Sequence, residues 1–509
     1  MKQIRKSPVS LCSSSSVILP LVVLFFLLPS APLRAQDDEY QQWLKKQDSE
    51  YGQFEQQQDK EFLEFLKQEW KLADLEPAKP LYTKPKLEVP PAFSKEPPAT
   101  EPRVGGKPVA VPKLPPSVIT APAPPQPPAP PPAEKFSSLI KLDFYGVPIE
   151  LRYTQLKARL DGPLSESSIR DFWKGLSESR NEVIVEQALQ WKKGMQLNDW
   201  GYCLLVKRCA EALFPKQENE SVLTAWFLLM RSGYDARVGY DGGDAYLLLP
   251  ATTMLFGLPY FSFPGSSHRY YAVNLAQETG RLPKSVTTYD GTYSGASRLF
   301  DFSLSTLPRL GSRPVPKKIR FTYGQEIRSI SVTVDRNLVE FLKQYPQTPF
   351  DVYFNAPISP AAVHDLAEGL TPLIKGRSEV EAVNILLRFV QTAFKYKTDQ
   401  ENFGREKPLF VDETLFYEGS DCEDRAVLFS FLVKSLTGLP VAGLNYPGHM
   451  ATAVKFSNDT GGDTVLVGGV RYTVCDPTFV FADAGRSMAE FKNLEPRIIA
   501  TKTVASGQR

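Results

Sequence analysis

The feature that most limits what this chain can fold into is a proline-rich stretch between residues 77 and 132. It holds 20 of the chain's 44 prolines in 56 residues and ends in the run APAPPQPPAPPP. Proline lacks a backbone N–H and fixes φ, so such a stretch suits neither helix interiors nor central strands. We therefore predict an extended, disordered linker over 77–135, a spacer rather than a ligand for a proline-binding groove.

The first 35 residues have the pattern of a secretory signal peptide. Lys2, Arg5 and Lys6 form a basic start, and the apolar run 17–28 follows. Its twelve residues are too few to cross a bilayer, which takes about 20. We predict cleavage after Ala35 and an exported protein, periplasmic or associated with the cell surface, with no membrane span after signal removal. The alternative is an uncleaved anchor.

Residues 36–76 contain an eleven-residue repeat, DDEYQQWLKKQ, DSEYGQFEQQQ and DKEFLEFLKQE. Each copy places two aromatic residues three apart, which is one helix face; the pairs are Tyr40/Trp43, Tyr51/Phe54 and Phe62/Phe65. Eleven residues make nearly three whole turns, so the pairs form one stripe. We predict a charged helix that either binds a coiled-coil partner through residues 37–70 or docks on nothing.

Charge and cysteine content exclude several classes of partner. The chain has 59 basic and 57 acidic residues, so no basic field favours nucleic acid. Its three histidines are far apart and no CxxC pair occurs, so we predict no metal site and no cofactor. Four cysteines remain after the signal, too few for a disulfide framework; they are Cys203, Cys209, Cys422 and Cys475.

From residue 136 onward, helix-like and strand-like segments come in runs, which predicts an α+β fold rather than alternating βαβ units. We expect a first domain over 136–310, a connecting β-rich segment over 311–355 and a second domain over 356–509. In the second domain, SEVEAVNILLRFVQTAFKY reads as a helix that opens with a capping box of Ser378 and Glu381.

One cysteine of the second domain stands where a helix should begin. The apolar run AVLFSFLVKSL after Cys422 predicts a buried helix, with Ser420 or Asp421 as its cap. Amide N–H groups and the dipole of a first helical turn stabilise a thiolate. The neighbouring acids Asp421, Glu423 and Asp424 disfavour it, so the thiolate needs a nearby cation.

A histidine and an aspartate further along the chain fit the roles of base and orienting acid. His449 follows the turn NYPG and opens the strand HMATAVKF, and Asp476 ends the strand VRYTVCDP. At the rim of a sheet packed on the cysteine helix, His449 would take the thiol proton and Asp476 would hold the other ring nitrogen. Cys422, His449 and Asp476 are therefore the predicted catalytic residues. Each alone also has an ordinary structural explanation.

The order of these residues resembles the bacterial transglutaminase-like superfamily over residues 376–482. The shared elements are G-S-D-C ending at Cys422, Ala426, G-L-P from Gly438, the histidine, and D-P-T from Asp476. The chain departs from the family pattern where H-M-A replaces H-A-W. The resemblance implies a papain-like α+β core with a Cys-His-Asp triad, which acts on amide bonds of a protein or peptide substrate through an acyl-enzyme.

Three functions follow from these patterns. Hydrolysis of amides, as in a cysteine peptidase or amidase, is the favoured one. Transfer of the acyl group to an amine would cross-link proteins instead. The third function is that of a non-catalytic envelope binding or scaffold protein, in which the triad residues no longer catalyse a reaction.

The stretch 217–250 repeats the spacing around the cysteine. Gln217 stands sixteen residues before Gly233, as Cys422 stands sixteen residues before Gly438. We therefore predict that the first domain is a degenerate copy of the second, with the same transglutaminase-like fold.

Two further likenesses assign counterparts to the other two triad residues: the same offset for the first, and the similarity of RYYAVN to RYTVCD for the second. Asp244 falls in the place of His449, and in RYYAVN the residue in the place of Asp476 is Asn274. The predicted copy therefore has neither a thiol nor an imidazole at its site and cannot carry out the chemistry.

Overall fold

The computed structural model describes residues 57–82, 86–87, 89–93, 108–109, 137–179, 182–263, 267–273 and 283–502. The predicted signal peptide, the first two aromatic pairs and Asn274 lie outside these residues. From Gln58 onward the described residues form one compact unit. None of the helices described is both long and apolar enough to cross a membrane.

The first half of the described chain contains a hairpin, a group of helices and a sheet. Its elements are α1 (57–65), β1 (Lys71–Asp74), β2 (Ser138–Phe144), β3 (Val147–Tyr153), α2 (Glu166–Ser177), α3 (Glu182–Gly194), α4 (Asp199–Leu213), α5 (Glu218–Arg231), β4 (Arg237–Asp241), β5 (Asp244–Ala251), β6 (Tyr260–Phe261), β7 (Arg269–Val273) and β8 (Ser285–Thr288).

The second half repeats this succession of hairpin, helices and sheet. Its elements are β9 (Pro314–Tyr323), β10 (Glu326–Asp335), α6 (Arg336–Lys343), α7 (Phe350–Asn355), α8 (Pro360–Ile374), α9 (Glu379–Ala393), β11 (Lys395–Tyr396), α10 (Asp399–Phe403), α11 (Val411–Phe416), β12 (Gly419–Ser420), α12 (Cys422–Thr437), β13 (Val441–Tyr446), β14 (His449–Val454), β15 (Thr464–Val467), β16 (Val470–Cys475) and β17 (Arg497–Ala500). Helices and antiparallel sheets come in separate runs, so the predicted α+β class is confirmed.

The two large sheets have the same strand order. The first runs β8-β4-β5-β7-β6, with β1 added beyond β8, and the second runs β17-β13-β14-β16-β15. In each half a helix, α5 or α12, leads into an antiparallel hairpin, and the last strand returns to pair with the first. Both helices pack against the second strand of their own sheet.

The register of the two sheets also agrees. Thr452, the fourth residue of β14, pairs with Cys475, the last residue of β16. Leu247, the fourth residue of β5, pairs with Val273, the last residue of β7. The residues that directly follow β16 and β7 are Asp476 and Asn274, the two positions that the similarity of RYTVCD to RYYAVN paired.

The third aromatic pair of the eleven-residue repeat belongs to the core of the first half. The Phe62 ring lies 4.4 Å from the Trp173 ring and 5.9 Å from the Trp226 ring, centroid to centroid. Leu66 and Trp70 are buried beside it. The described part of the predicted partner-binding stripe is therefore covered by this chain itself.

The helix predicted to continue to residue 76 ends at 65. Residues Lys71–Asp74 form strand β1, which pairs with β8 over all four residues. The prediction was wrong here because the edge strand β8 offers unpaired backbone N–H and C=O groups, with which these residues pair.

Parts of the proline-rich segment also pack on the domain. We call its described residues 81–82, 86–87 and 89–93 the strap. Tyr82 is buried, and the N–H of Phe93 donates to Val480 O at 2.9 Å. Further on, the N–H of Val109 donates to Arg377 O at 3.0 Å. The prediction of a disordered linker was wrong for these residues, because apolar side chains and backbone groups between the prolines find partners on the second half.

One continuous core of buried side chains runs through both halves, from Phe62 to Ile499. The segment 311–355, predicted to connect two domains, forms the ribbon β9–β10 and then helices α6 and α7. The ribbon is covered by α8 and α9 of the second half. The domain boundaries predicted at 310 and 355 thus fall inside one compact unit.

Candidate active site

Cys422 is the first residue of helix α12, as the sequence pattern predicts. Asp421 is the N-cap, and its own N–H donates to Asp424 Oδ2 at 3.3 Å. The helix is buried along almost its whole length and ends at Gly438, whose φ of +72° suits glycine. The cysteine therefore lies in a first turn whose amide N–H groups lack intrahelical partners.

His449 and Asp476 lie in direct contact. His449 is the first residue of β14, after the tight turn that follows β13. Its Nε2 lies 2.9 Å from Asp476 Oδ2. Asp476 Oδ1 accepts hydrogen bonds from the N–H groups of Thr478 at 2.9 Å and Phe479 at 3.2 Å. Both carboxylate oxygens are thus acceptors in fixed positions.

The other nitrogen of the imidazole is buried and open to a new partner. Among the described residues, His449 Nδ1 has no hydrogen-bond partner. The ring stacks on Phe491, with centroids 4.6 Å apart, and is parallel to the Tyr446 ring at 6.4 Å. Phe491 was not found from the sequence, because it lies in the irregular segment before β17 and matches no motif.

The thiol lies beside the first residues of β14 and has an acid as its hydrogen-bond acceptor. Helix α12 packs on β14, and the N–H of Met450 donates to the Cys422 sulfur. The thiol itself donates to Glu423 Oε2 at 3.3 Å. The structure thus brings His449 and Asp476 into contact and places the sulfur beside the backbone of Met450, the residue after His449, with Glu423 as the acceptor of the thiol proton.

Burial and charge both oppose ionisation of this thiol. Burial raises the pKa of Cys422 well above its usual value, and the carboxylates of Glu423 and Asp421 raise it further. The ammonium of Lys86 and the N–H of Met450 act in the opposite direction. Burial and the neighbouring acids therefore favour the protonated thiol in the described conformation.

A lysine of the strap sits among four carboxylates next to the cysteine. Lys86 Nζ lies 2.9 Å from Asp399 Oδ2, 2.9 Å from Glu406 Oε2 and 2.9 Å from Asp421 Oδ2, and it also pairs with Glu423 Oε1. We call the four acids the carboxylate cage. Burial and the neighbouring Asp421 raise the pKa of Asp399 to about 8 despite Lys86.

Three members of this cage also have the geometry of a cation site. Carboxylate oxygens of Asp399, Asp421 and Glu423 lie within 4.8 Å of one another, and such oxygens are ligands for Ca²⁺ or Mg²⁺. A second group, His364, Asp365 and Glu368, lies on α8. Neither group contains a pair of neighbouring histidines or a CxxC motif, so neither was predicted from the sequence.

The counterparts in the first half are exposed. Gln217 is the N-cap of α5 and Asp244 is the first residue of β5, and both side chains face solvent. A cavity of about 340 Å³ opens beside Gln217. The first half thus presents an open surface where the second half has a buried thiol and imidazole.

Comparison of the chain with models of known protein families, with curated proteins and with solved structures finds no match. Functional inference therefore rests on the residues and their geometry. The role of Lys86 could not be read from spacing, since 335 residues separate it from Asp421. The only signal was indirect: three acids flank the cysteine, and a thiolate among them needs a nearby cation.

Proposed function

We propose that this protein is an exported cysteine enzyme that hydrolyses amide bonds through an acyl-enzyme, with Cys422, His449 and Asp476 as its catalytic residues. The observation that carries the proposal is the 2.9 Å contact of His449 Nε2 with Asp476, beside a cysteine at a helix N-terminus. This contact leaves Nδ1 without a partner among the described residues and available to the thiol.

The chemistry begins with rotation of the Cys422 thiol from Glu423 toward His449. Nδ1 takes the thiol proton, and the thiolate attacks the amide carbonyl to form a carbon–sulfur bond. First-turn N–H groups of α12 are donors for the developing oxyanion. The imidazolium gives its proton to the leaving amine as the carbon–nitrogen bond breaks.

Hydrolysis of the thioester completes the cycle. His449 takes a proton from water, the hydroxide attacks the carbonyl carbon, and the sulfur leaves and is reprotonated. One amide and one water thus give one amine and one acid, and the thiol is restored. With an amine in the place of water, the same acyl-enzyme yields a cross-link.

The proposal includes a papain-like core and an internal duplication. The papain-like core is supported by the packing of the cysteine helix on an antiparallel sheet. The histidine begins one strand of this sheet, and the aspartate follows another. The shared strand order and register of the two sheets support the duplication. In this interpretation the first half is a degenerate copy, in which Gln217 and Asp244 replace Cys422 and His449.

One observation favours a non-catalytic binding or scaffold protein as a second candidate. The thiol is fully buried, it donates to Glu423, and its pKa is raised. If the acids keep the thiol protonated in every state, the triad is a relic and the covered site serves binding alone.

The pH dependence of iodoacetamide labelling at Cys422, in the intact protein and in His449→Ala, separates the two candidates. The enzyme is supported if the intact protein is labelled well below pH 8.5, about the usual thiol pKa, and if His449→Ala is not labelled in that lower pH range (the low-pH limb of the profile). Labelling that rises only near or above that pH in both proteins contradicts it.

The remaining described cysteines serve as internal controls, read peptide by peptide. Burial raises the pKa of Cys203 and of Cys209 to about 12, so both should label only in strong base. Incubation with a glutamine peptide and a labelled amine then distinguishes hydrolysis from transfer. Free acid indicates hydrolysis, and incorporated label indicates transfer.

A further inference from the structure

The carboxylate cage has the features of a site built for an ammonium group. A lysine ammonium has three N–H donors, and Lys86 meets acceptor oxygens from four different side chains. Its Nζ also lies 5.0 Å from the centre of the Tyr82 ring, a cation–π distance. The lysine side chain is only 5% exposed. Very few surface lysines are enclosed in this way.

The cage offers more acceptors than its occupant uses. Asp399 Oδ1 and Asp421 Oδ1 are buried, and neither has a hydrogen-bond partner in the part of the chain that the structure describes. Four carboxyl groups face one ammonium, so the cage has more acceptor oxygens than Lys86 has N–H donors. Such a cluster is costly unless a cation fills it, which explains why a distant segment of the chain supplies one.

The cage is joined to the nucleophile through one side chain. Glu423 Oε2 accepts hydrogen bonds from the Cys422 thiol at 3.3 Å and from Tyr82 OH at 3.2 Å, while its Oε1 pairs with Lys86. The strap therefore fills the cage and at the same time holds the carboxylate to which the thiol donates.

We propose that Asp399, Glu406, Asp421 and Glu423 form a subsite for a primary ammonium group, the side chain of a lysine in a peptide substrate, and that Lys86 occupies it in cis. The assignment of this group as a substrate rests on the proposed function; the binding of an ammonium does not. The subsite selects peptides with a lysine near the scissile amide, and the strap must withdraw before such a peptide binds.

Chemical rescue tests the subsite without any assay of activity. Lys86→Ala removes three methylene groups and the ammonium, which together correspond to n-propylammonium. We expect added n-propylammonium chloride to raise the thermal midpoint of Lys86→Ala saturably and to leave the wild-type midpoint unchanged, relative to NaCl at equal ionic strength. n-Propanol, which lacks the charge, should have no such effect.

Two further variants serve as controls. The double variant Lys86→Ala/Asp399→Asn should lose the response, because the cage is then incomplete. Lys407→Ala also removes a buried lysine, but one that meets the single carboxylate of Glu413 at 2.7 Å. An equal response in Lys407→Ala would show a general effect of amines on buried carboxylates and would overturn the proposal.

Divalent cations supply the decisive alternative. If CaCl₂ or MgCl₂ stabilises Lys86→Ala and n-propylammonium does not, the cage is a metal site and the ammonium assignment is overturned. If no cation restores stability, the cage is only a structural ion cluster and the proposal fails. Neither result bears on the catalytic triad, which the labelling experiment tests separately.

Should Lys86→Ala fail to fold, Glu406→Gln provides a milder variant, since Glu406 is the most exposed acid of the cage. In this variant Nα-acetyl-lysine amide should accelerate iodoacetamide labelling of Cys422 several-fold by displacing Lys86. Nα-acetyl-norleucine amide, which has a similar stem without the charge, should not. Equal rates with both compounds would overturn the proposal.

Discussion

His449 Nε2 donates to Asp476 Oδ2 at 2.9 Å, while the second oxygen of the same carboxylate accepts the backbone N–H groups of residues 478 and 479. A carboxylate can only accept, so Nε2 carries a proton, and in the neutral ring Nδ1 then presents its lone pair. This tautomer is the one that can take a proton from a thiol. The position of Asp476 in its turn therefore fixes the state of the imidazole.

Asp476→Asn is expected to abolish the low-pH labelling of Cys422 and to lower any amidase rate by a factor on the order of 10² to 10⁴. An amide has one acceptor atom where the carboxylate has two. It must therefore either lose the turn hydrogen bonds or donate to Nε2, which forces the proton onto Nδ1. The measurement is the labelling pH profile. Asp483→Asn, at a half-exposed aspartate that pairs with Arg388, is the matched control and should retain the wild-type profile.

Glu423→Gln is expected to accelerate labelling of Cys422 at neutral pH. Its carboxylate lies 3.3 Å from the sulfur and raises the pKa of the thiol, so removal of the charge increases the thiolate fraction. The substitution also removes the ion pair between Glu423 and Lys86. The measurement is the second-order labelling rate between pH 6 and 9.

Asp424→Asn is the matched control for this prediction. Asp424 lies one residue further along the same turn, where its oxygens accept the N–H groups of Leu409 and Asp421 instead of the thiol. It should change the labelling rate much less. A wild-type rate in Glu423→Gln would mean that the described contact with Glu423 does not control the thiol.

The cage also predicts how stability depends on pH. The pKa of Asp399 is raised from 3.8 to about 8, so the folded state keeps a proton that the unfolded chain releases. This contribution to stability is complete below about pH 4 and is lost as the pH rises through about 8. Burial raises the pKa of Glu423 and Asp424 as well, in the same direction. The protein should therefore become less stable from pH 5 to pH 8.

Asp399→Asn should flatten this dependence, because the amide does not titrate. Because one titrating group is removed, the slope of the free energy of unfolding against pH should become smaller by about 1.4 kcal/mol per pH unit within that range. The measurement is urea unfolding at several pH values, with the slope of unfolding against urea checked for constancy. A variant with the wild-type pH dependence would show that Asp399 is ionised in the folded protein.

The sequence predicted the local structure around the triad because local signals determine it. The apolar run after Cys422 and the turn before His449 require no distant partner to be recognised. The fold class followed from the grouping of helices and strands. The spacing also paired Asp244 with His449, and each is the first residue of the second strand of its sheet, although a common origin of the halves stays a prediction.

What the sequence could not predict depends on contacts between distant segments. The proline content correctly predicts that the strap forms neither a helix nor a central strand. It does not predict that one lysine of the strap, Lys86, pairs with Asp421, 335 residues further along the chain. Residues Lys71–Asp74 have the charge of a helix continuation and become a strand only because a sheet edge is present. Phe491 stacks on the imidazole from a segment with no regular structure.

The degenerate first half yields the last prediction. Gln217→Ala and Asp244→Ala should each change the free energy of unfolding by less than about 0.5 kcal/mol, because both side chains are exposed. Neither should alter the pH profile of Cys422 labelling. His449→Ala, in contrast, should abolish labelling at low pH, although His449 occupies the same position in β14 as Asp244 does in β5. The measurements are urea unfolding and the labelling profile. A shifted profile in either first-half variant would show that the exposed surface beside Gln217 acts on the chemistry of the second half, as a substrate-binding half would.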